Sequence, residues 1–478
     1  MYVSRRCLLF ILSLILVFTA SGCAYRTPIK IQPPVEPPEK YSIEGGNKPL
    51  PDRWWESFGD IHLNALVNEC LDANLDLAQA WARLSQAQAL ARKTGAAKWP
   101  QLGFEASASR SRINIASFPP DTGTERDYIE QYNMGLAASY EIDLWGRINA
   151  LDEAARLDMR SSRLDMETMA MSLATQVTQA WLSLIEQQAQ LALIHSQQSS
   201  SRTQLDLVEL RFSRGLASAL DVFQQRQQLA AIEAQTPLLE AQIAILSHEI
   251  NVLLARPPGT PLIGIPAALP QPWPLPDAGF PVYLLTRRPD VEASRLRVMA
   301  ADERVGAAIA ERFPRLSLSA SSGYSAASLE DLLDQWIWSL AGSISATIFS
   351  GNAKNMEVRR TRAVVEERLA AYGTTVLSAV QEVEDALVRE HSQREYITRL
   401  EKQVDLARHT FTEARQRYAT GLSDYLSVLN ALQSLQQAER EALSARAGLL
   451  SFRIQICRAL GGTWTTQLSR TSTRGENL

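Results

Sequence analysis

Few residues in this sequence have the types and spacing that enzymatic chemistry requires. The chain has five histidines, and the closest two, His391 and His409, lie 18 positions apart, too far for a pair of metal ligands on one helix. No Gly-x-x-x-x-Gly-Lys-Ser/Thr, Gly-x-Ser-x-Gly or His-Glu-x-x-His segment occurs, so nucleotide hydrolysis would have to be supplied elsewhere. The acidic run 382–385 is typical of a solvated helix face. The sequence predicts neither catalytic residues, nor a metal site, nor a cofactor.

Cys23 is the residue best placed for covalent chemistry. Arg5 and Arg6 precede an apolar run over residues 8–18, and small residues then lead to Cys23, as in a secretory signal. Ala-Ser-Gly-Cys resembles the lipoprotein signal box, in which the cysteine is acylated after cleavage, although Ala20 stands where that box usually has leucine. We expect a signal peptide over residues 1–22 and a lipid on Cys23. The alternative is ordinary signal cleavage nearby.

The remaining cysteines form no recognisable framework. Cys7 belongs to the signal, and Cys70 and Cys457 are far apart in the chain, so they could pair only if the chain ends come together. The formal net charge of −4 and a pI near 5.9 do not indicate the basic surface that a nucleic-acid-binding protein needs. No later apolar run reaches the length of a transmembrane helix, so any membrane span has to consist of strands.

The chain consists of two similar halves. Residues 211–222, RFSRGLASALDV, match residues 417–428, RYATGLSDYLSV, and the order of the other landmarks is preserved. Proline-rich stretches precede and separate the halves, where an extended tether and a linker are expected. We therefore divide the chain into a signal peptide (1–22), a lipid-anchored proline-rich tether (23–56), a first repeat (57–256), a proline-rich linker (257–283), a second repeat (284–464) and a polar tail (465–478).

Each repeat has the same order of elements. A helix over residues 63–94 precedes Trp99-Pro100, and the hydrophobic period then changes to two, which predicts strands at 102–113, 132–143, 316–324 and 336–348 with one apolar and one polar face. Polar loops are expected at 116–126 and 326–335. Long helices follow at 150–212 and 353–418, each roughly 90 Å. They end at Gly215 and Gly421, and return helices follow at 218–254 and 424–460.

Four strands per chain cannot close a barrel, and open strand edges are not tolerated in hydrocarbon. The chain must therefore share its barrel with other copies, with the polar strand face lining a lumen and the helices continuing the tube on the periplasmic side. The alternative is that the strands belong to a soluble sandwich and the helices to a stalk.

Three segments carry a resemblance to a known family. Residues 284–291, LLTRRPDV, the paired Arg-Phe/Tyr-x-x-Gly turns and residues 141–147, EIDLWGR, resemble outer-membrane efflux lipoproteins of the TolC-like outer membrane factor family. The resemblance implies a mixed α and β membrane protein, a homotrimer with a twelve-stranded β-barrel continued by a long periplasmic α-helical barrel. It also implies a passive exit duct, lipid-anchored in the cell outer membrane, whose partners are a periplasmic membrane-fusion adaptor and an inner-membrane resistance-nodulation-division transporter.

The resemblance also implies a gate. In the resembled lipoproteins a leucine and an aspartate ring the periplasmic constriction, and Leu426 and Asn430 occupy the corresponding positions here. Asn430 puts strong cation binding at that ring in doubt, although Asp424 or Asp221 could supply charge nearby. The alternative is that Leu426 packs in a helix seam and Asn430 is polar surface. The adaptor is expected to contact the tips, whose candidate residues are Arg211, Gly215, Arg417, Tyr418 and Gly421.

Two other classes of protein remain open at this point. A trimeric lipoprotein stalk without a pore would differ from a channel in bilayer conductance. A periplasmic adaptor should have a single helical hairpin flanked by β modules, and the duplication argues against it. The sequence does not identify the exported substrate. The predicted lumen is rich neither in methionine nor in histidine, and either residue would favour a metal ion.

Overall fold

The computed structural model describes residues 31–116, 124–266 and 268–469 of the chain. The predicted signal peptide, Cys23 and most of the predicted polar tail lie outside the described residues. Over these ranges the protein is mainly helical and contains four strands. In chain order the elements are α1 (Ile61–Ala73), α2 (Leu75–Gly95), β1 (Gln101–Ala116), β2 (Thr124–Ile142), α3 (Arg147–Ser213), α4 (Ala219–Glu233), α5 (Thr236–Leu253), α6 (Pro289–Ala310), β3 (Arg315–Ala326), β4 (Trp336–Ser345), α7 (Ala353–Ala419) and α8 (Tyr425–Leu460).

Two predicted helices are interrupted. The helix expected at 63–94 breaks at Asn74, whose side-chain oxygen accepts hydrogen bonds from the backbone N–H groups of Asp76 (2.9 Å) and Leu77 (3.0 Å) and so begins a new helix. The first return helix breaks after Glu233, and α5 restarts with Pro237 in its first turn. Proline lacks the N–H that a continuous helix would need there. The second return helix has neither feature and is continuous.

The four strands form one antiparallel sheet in the order β1-β2-β3-β4. β1 and β2 extend further than the sequence predicts, and β2 already begins at Thr124, inside the expected loop. The register places even-numbered residues opposite even-numbered residues at every step, for example Phe104 opposite Leu136 and Ser322 opposite Trp338. One face of the whole sheet therefore consists of even-numbered residues and the other face of odd-numbered residues.

The two faces of the sheet have different chemistry, as the alternation predicts. The even-numbered face carries apolar side chains that are exposed in this chain: Leu102, Phe104, Leu136, Trp336, Trp338, Leu340 and Ile344. The odd-numbered face is polar, and hydrogen bonds cross its strands from Ser321 to Ser339 (2.8 Å) and from Ser325 to Asn133 (2.8 Å). Within the described residues, none of the helices has the length and apolarity needed to cross a membrane.

The chain divides into two compact units. The first includes 84–162 and 294–372 and contains the whole sheet. The second includes 35–83, 163–293 and the chain from 373 onward, and its core is rich in indole rings. Trp55, 1% exposed, stacks edge-on against Trp464 at 4.9 Å between ring centroids, and Phe58 packs against Trp181 and Trp273.

The end of the predicted tether is part of the second unit. Trp54 and Trp55 are buried in its core. Upstream of them, the Gly46 N–H donates to the Pro276 carbonyl (2.8 Å) and the Asp277 N–H donates to the Lys48 carbonyl (2.6 Å), so the tether is bonded to the proline-rich linker. Proline spacing alone does not reveal this, because the bonds use backbone groups.

Candidate functional site

The two long helices end in the same backbone geometry. Gly215 and Gly421 have φ angles of +72° and +77°, which L side chains rarely adopt. After each glycine, the next N–H reaches back to the carbonyl of an arginine, from Leu216 to Arg211 and from Leu422 to Arg417, both at 2.8 Å. This is the hydrogen-bond pattern of a glycine-terminated helix. A Cβ at either glycine would meet nothing within 4 Å, so conformation and not space requires glycine.

The two aspartates proposed as charge near the gate are helix caps. Asp221 forms a capping box with Ser218 at the start of α4, and the Asp424 carboxylate accepts from the Ser427 N–H (3.2 Å) and hydroxyl (2.7 Å) at the start of α8. The hydrogen bonds from Ser427 lower the pKa of Asp424. Both groups therefore have local structural partners, which periodicity did not indicate.

An apolar cluster, here called the tip cluster, joins the ends of the long helices to the return helices. Its buried members are Val208, Val222, Tyr418, Tyr425, Val428 and Leu429. Tyr425 is 1% exposed, and its hydroxyl donates to the buried side-chain oxygen of Gln225 at 2.6 Å. Burial raises the pKa of Tyr425 above its ordinary value. The cluster combines residues of both repeats, so reading each repeat separately did not predict it.

Two of the predicted adaptor-contact residues interact with each other. The Arg211 guanidinium lies 4.6 Å from the centre of the Tyr418 ring, and its Nη1 donates to the Ala419 carbonyl (3.2 Å). Burial raises the pKa of Tyr418. Arg417 is exposed instead. Arg211 and Tyr418 thus tie the end of α3 to the end of α7, whereas Arg417 stays available at the surface of this chain.

The predicted gate residues lie on the face of α8 that is exposed in this single chain, here called the outer face of α8. Leu426 is 47% exposed and Asn430 is also exposed, while Tyr425, Val428 and Leu429 on the other face enter the tip cluster. Leu426 therefore does not pack in a helix seam within its own chain. Whether these side chains ring a constriction remains a prediction, since a ring requires other copies.

The segments that carry the family resemblance, residues 141–147 and 284–291, also have structural roles. Arg147 holds Glu141 through paired bonds at 2.9 Å, and Trp145 stacks on Phe313 at 4.8 Å, so the segment fixes the turn from β2 into α3. Arg288, 7% exposed, bonds Asp290, Glu382 (2.8 Å) and the Ala459 carbonyl (3.2 Å). It thereby joins the start of α6 to α7 and to the end of α8.

The cysteines and acidic residues offer no second site. Cys70 and Cys457 are free and buried, and burial raises the pKa of each thiol to about 12. Over residues 31–116, 124–266 and 268–469, no three His, Cys, Asp or Glu side chains are grouped as metal ligands. The candidate functional surfaces are therefore the sheet, the tips and the outer face of α8.

A sheet with one apolar and one polar face, joined to paired long helices, defines the class of the protein as an outer-membrane channel. The solved structure of the outer-membrane channel OprN has the same fold, with a TM-score of 0.86 and 29% identity, covering 92% of this chain and 99% of that chain. A family model for outer membrane efflux proteins matches residues 66–256 and 281–462. The chain belongs to the outer membrane efflux protein family.

Curated relatives support this assignment over nearly their whole length. The pyoverdine export outer membrane protein OpmQ of Pseudomonas putida is 31% identical over 459 residues, which is 94% of this chain and 97% of OpmQ. The toluene efflux pump outer membrane protein TtgF of Pseudomonas putida is 30% identical over 470 residues, 95% of this chain and 96% of TtgF. The predicted family, efflux function and outer-membrane location are confirmed, and the protein is not an enzyme. The alternative of a periplasmic adaptor is wrong.

Proposed function

We propose that three copies of this chain form a duct that passively conducts substrates from an inner-membrane pump of the resistance-nodulation-division class, through a periplasmic adaptor, to the exterior. The sheet is the observation that carries this proposal. Among the residues that the structure describes, β1 and β4 each pair with one neighbour only, so the sheet has two free edges. Such edges are not tolerated in hydrocarbon, and three copies joined edge to edge give a closed barrel of twelve strands.

The two faces of the sheet support the direction in which each would point. The even-numbered face, with Leu102, Trp338 and Ile344, suits acyl chains, and the odd-numbered face, with Ser319, Ser321 and other small polar residues, suits a water-filled lumen. The long helices α3 and α7 continue the duct as a helical barrel in the periplasm. The matching turns at Gly215 and Gly421 support an origin of the chain in two tandem repeats.

The tips and the outer face of α8 take the remaining roles. Leu216 and Leu422 are strongly exposed beside the glycine turns and, with Arg417, present an apolar surface with one cation to the adaptor. Leu426 and Asn430 line the periplasmic constriction, where three asparagine amides stand at the position to which the family resemblance assigns an aspartate. Asp221 and Asp424 cap the return helices, and the hydrogen bonds from Ser427 favour the charged form of Asp424, so that carboxylate adds negative charge near the ring.

A lipid on Cys23 holds the N-terminus in the inner leaflet of the outer membrane. Metabolic labelling with palmitate tests this, and Cys23→Ser should lose the label while the channel still inserts, because the barrel buries far more apolar area than acyl chains do. Label that persists on the variant would contradict the anchor. The cargo is organic rather than ionic, as the names of the pyoverdine and toluene exporters OpmQ and TtgF suggest.

Native mass spectrometry of the full-length protein in detergent tests the assembly. Three copies per particle are expected. A particle of any other stoichiometry that still conducts ions in planar bilayers would contradict the twelve-stranded barrel. Deleting the gene should raise susceptibility to organic solvents and drugs more than susceptibility to metal ions, and the reverse order would contradict the proposed cargo.

A further inference from the structure

One row of residues across the sheet has no side chains at its centre. The strand register places Glu105, Gly135, Gly323 and Ile337 side by side, one residue from each strand. All four are odd-numbered, so they belong to the polar face. Because neighbouring strands lie about 4.8 Å apart, roughly 14 Å separates the backbones of Glu105 and Ile337, with only glycine between them. We call this row the glycine groove.

The curvature of the sheet requires glycine at the two central positions. A Cβ added at Gly135 would lie 2.8 Å from the Ser322 carbonyl oxygen and 2.9 Å from the Gly323 Cα, and one added at Gly323 would lie 2.6 Å from the Gly135 Cα. Opposed Cβ atoms in an ordinary antiparallel pair are about 4.5–5.5 Å apart. The side-chain positions therefore converge on this face, which is concave here, as the inside of a barrel is.

A cavity of about 300 Å³ lies over the glycine groove. The rows on either side of it are held by hydrogen bonds between polar side chains. On one side the Asn133 amide donates to the Ser107 hydroxyl (3.3 Å) and accepts from the Ser325 hydroxyl (2.8 Å). On the other side the hydroxyls of Ser321 and Ser339 share a bond of 2.8 Å. The groove thus has fixed walls whose polar groups satisfy one another.

The two ends of the glycine groove have different chemistry. Glu105 is exposed, and among the described residues its carboxylate has no hydrogen-bond or ion-pair partner. Arg315, a cation on the same face, pairs with Glu311 instead. Among the odd-numbered residues of β3 and β4, both of which are described throughout, Ile337 is the one large apolar side chain, and it is 56% exposed.

A carboxylate that faces an apolar side chain across an uncharged groove fits a molecule with a positive charge and an apolar body. The charge would pair with Glu105, and the body would cover Ile337 and the glycine backbone. An anion would be repelled by the unpaired carboxylate, and an inorganic cation would leave Ile337 exposed to water. Both contacts are weak at a wet surface, so a molecule that binds there also leaves, as conduction requires.

We propose that the glycine groove binds organic cations in the lumen of the barrel, with the charged group at Glu105 and the apolar part against Ile337. Three copies of the chain place three such sites around the lumen. The proposal rests on the proposed function, because it needs the odd-numbered face to line the duct. It adds a preference, among organic molecules, for those that carry a positive charge.

Block of the ionic current by tetrabutylammonium tests the charged end of the site. Tetrabutylammonium should reduce the current of the full-length trimer in planar bilayers, whereas butanesulfonate, an anion with the same alkyl chain, should not. Glu105→Gln removes the charge and keeps the shape, so it should raise the concentration for half block about tenfold. The matched control is Glu130→Gln, the same substitution on the even-numbered face of β2, and it should be blocked like the parent.

A second variant tests the apolar end. Ile337→Ser keeps the carboxylate and removes the apolar contact, so it should raise the concentration of tetrabutylammonium for half block about fivefold. Tetramethylammonium is too small to reach Ile337 from Glu105. Its block of the current should therefore be the same in Ile337→Ser as in the parent.

A cysteine in the glycine groove separates this proposal from the proposed function. A membrane-impermeant cationic methanethiosulfonate should modify Glu105→Cys and lower the conductance in steps, while the native Cys70 and Cys457 are buried. A parent that does not conduct would defeat the proposed channel. If the parent conducts and Glu105→Cys gives no steps, Glu105 does not face the lumen and the inference is overturned.

Two further results would overturn the inference and leave the channel standing. One is equal block of Glu105→Gln and Glu130→Gln by tetrabutylammonium in channels whose Glu105→Cys variant does give conductance steps. The other is an Ile337→Ser channel that tetrabutylammonium blocks as strongly as it blocks the parent.

Discussion

Tyr425→Phe should make the closed channel leak. The change removes only the hydroxyl, which donates to the Gln225 oxygen at 2.6 Å in a site where both side chains are buried. Losing this bond leaves a buried acceptor unsatisfied in the closed state, which costs about 1–3 kcal/mol. Water satisfies the same oxygen once the tip cluster opens, so the cost falls on the closed state alone. Because about 1.4 kcal/mol is a factor of ten, the open fraction should rise roughly tenfold.

Tyr418→Phe is the matched control for this prediction. Tyr418 belongs to the same cluster and its ring lies 5.2 Å from that of Tyr425, but within the described residues its hydroxyl has no hydrogen-bond partner. Removing it should change the open fraction by less than about twofold. Planar-bilayer recordings and entry of a large antibiotic that the outer membrane excludes measure the leak. Equal leaks for the two variants would refute the reasoning, because the hydrogen bond would then contribute nothing to closure.

The remaining predictions concern the gate, a turn and the thiols. Asn430→Asp should raise cation selectivity and block by divalent cations, since three charges would act in a narrow pore. Leu426→Ser should make the closed channel leak. If both variants match the parent in bilayer selectivity and conductance, the constriction lies elsewhere. Gly421→Val forces a β-branched residue to a φ of +77°, at a cost of about 2 kcal/mol, and should impair adaptor-dependent efflux while trimer levels stay normal. Gly421→Asn should not impair efflux, because asparagine tolerates this backbone conformation. Equal drug susceptibility of the two variants would argue against a role of the turn in adaptor contact. With thiol pKa values of about 12, Cys70 and Cys457 should resist iodoacetamide at pH 8 until the protein is denatured, and labelling of the native protein at the denatured rate would contradict their burial.

The sequence was sufficient for the features that depend on local periodicity. Alternation placed the strands and their two faces, because the side-chain period of two is a property of each strand alone. The glycine turns were also legible, since Gly215 and Gly421 meet a conformational requirement of their own. The helix breaks at Asn74 and Pro237 are also encoded locally, by a capping side chain and by a missing N–H.

Pairing between distant helices was not predictable in this way. The tip cluster and the hydrogen bonds between α3 and α8 join segments about two hundred or more residues apart, and Arg288 bonds Glu382, 94 residues further along the chain. The glutamines of α3 look like surface residues until α8 covers them. Asp221 and Asp424 are expected from the sequence only as charges near the gate, because a sequence does not show their capping bonds with Ser218 and Ser427. Trp54 and Trp55 likewise fell within a proline-rich segment that gave no sign of packing.

The most direct measurement of the central claim is the conductance of the purified full-length protein in planar bilayers, recorded on particles whose stoichiometry native mass spectrometry has established. Trimers should give discrete, long-lived ionic steps, and the leak of Tyr425→Phe should appear as more frequent openings of the same step size. Intact trimers that insert and produce no ionic current under any condition, including in the Tyr425→Phe variant, would contradict the account of this chain as an outer-membrane efflux channel.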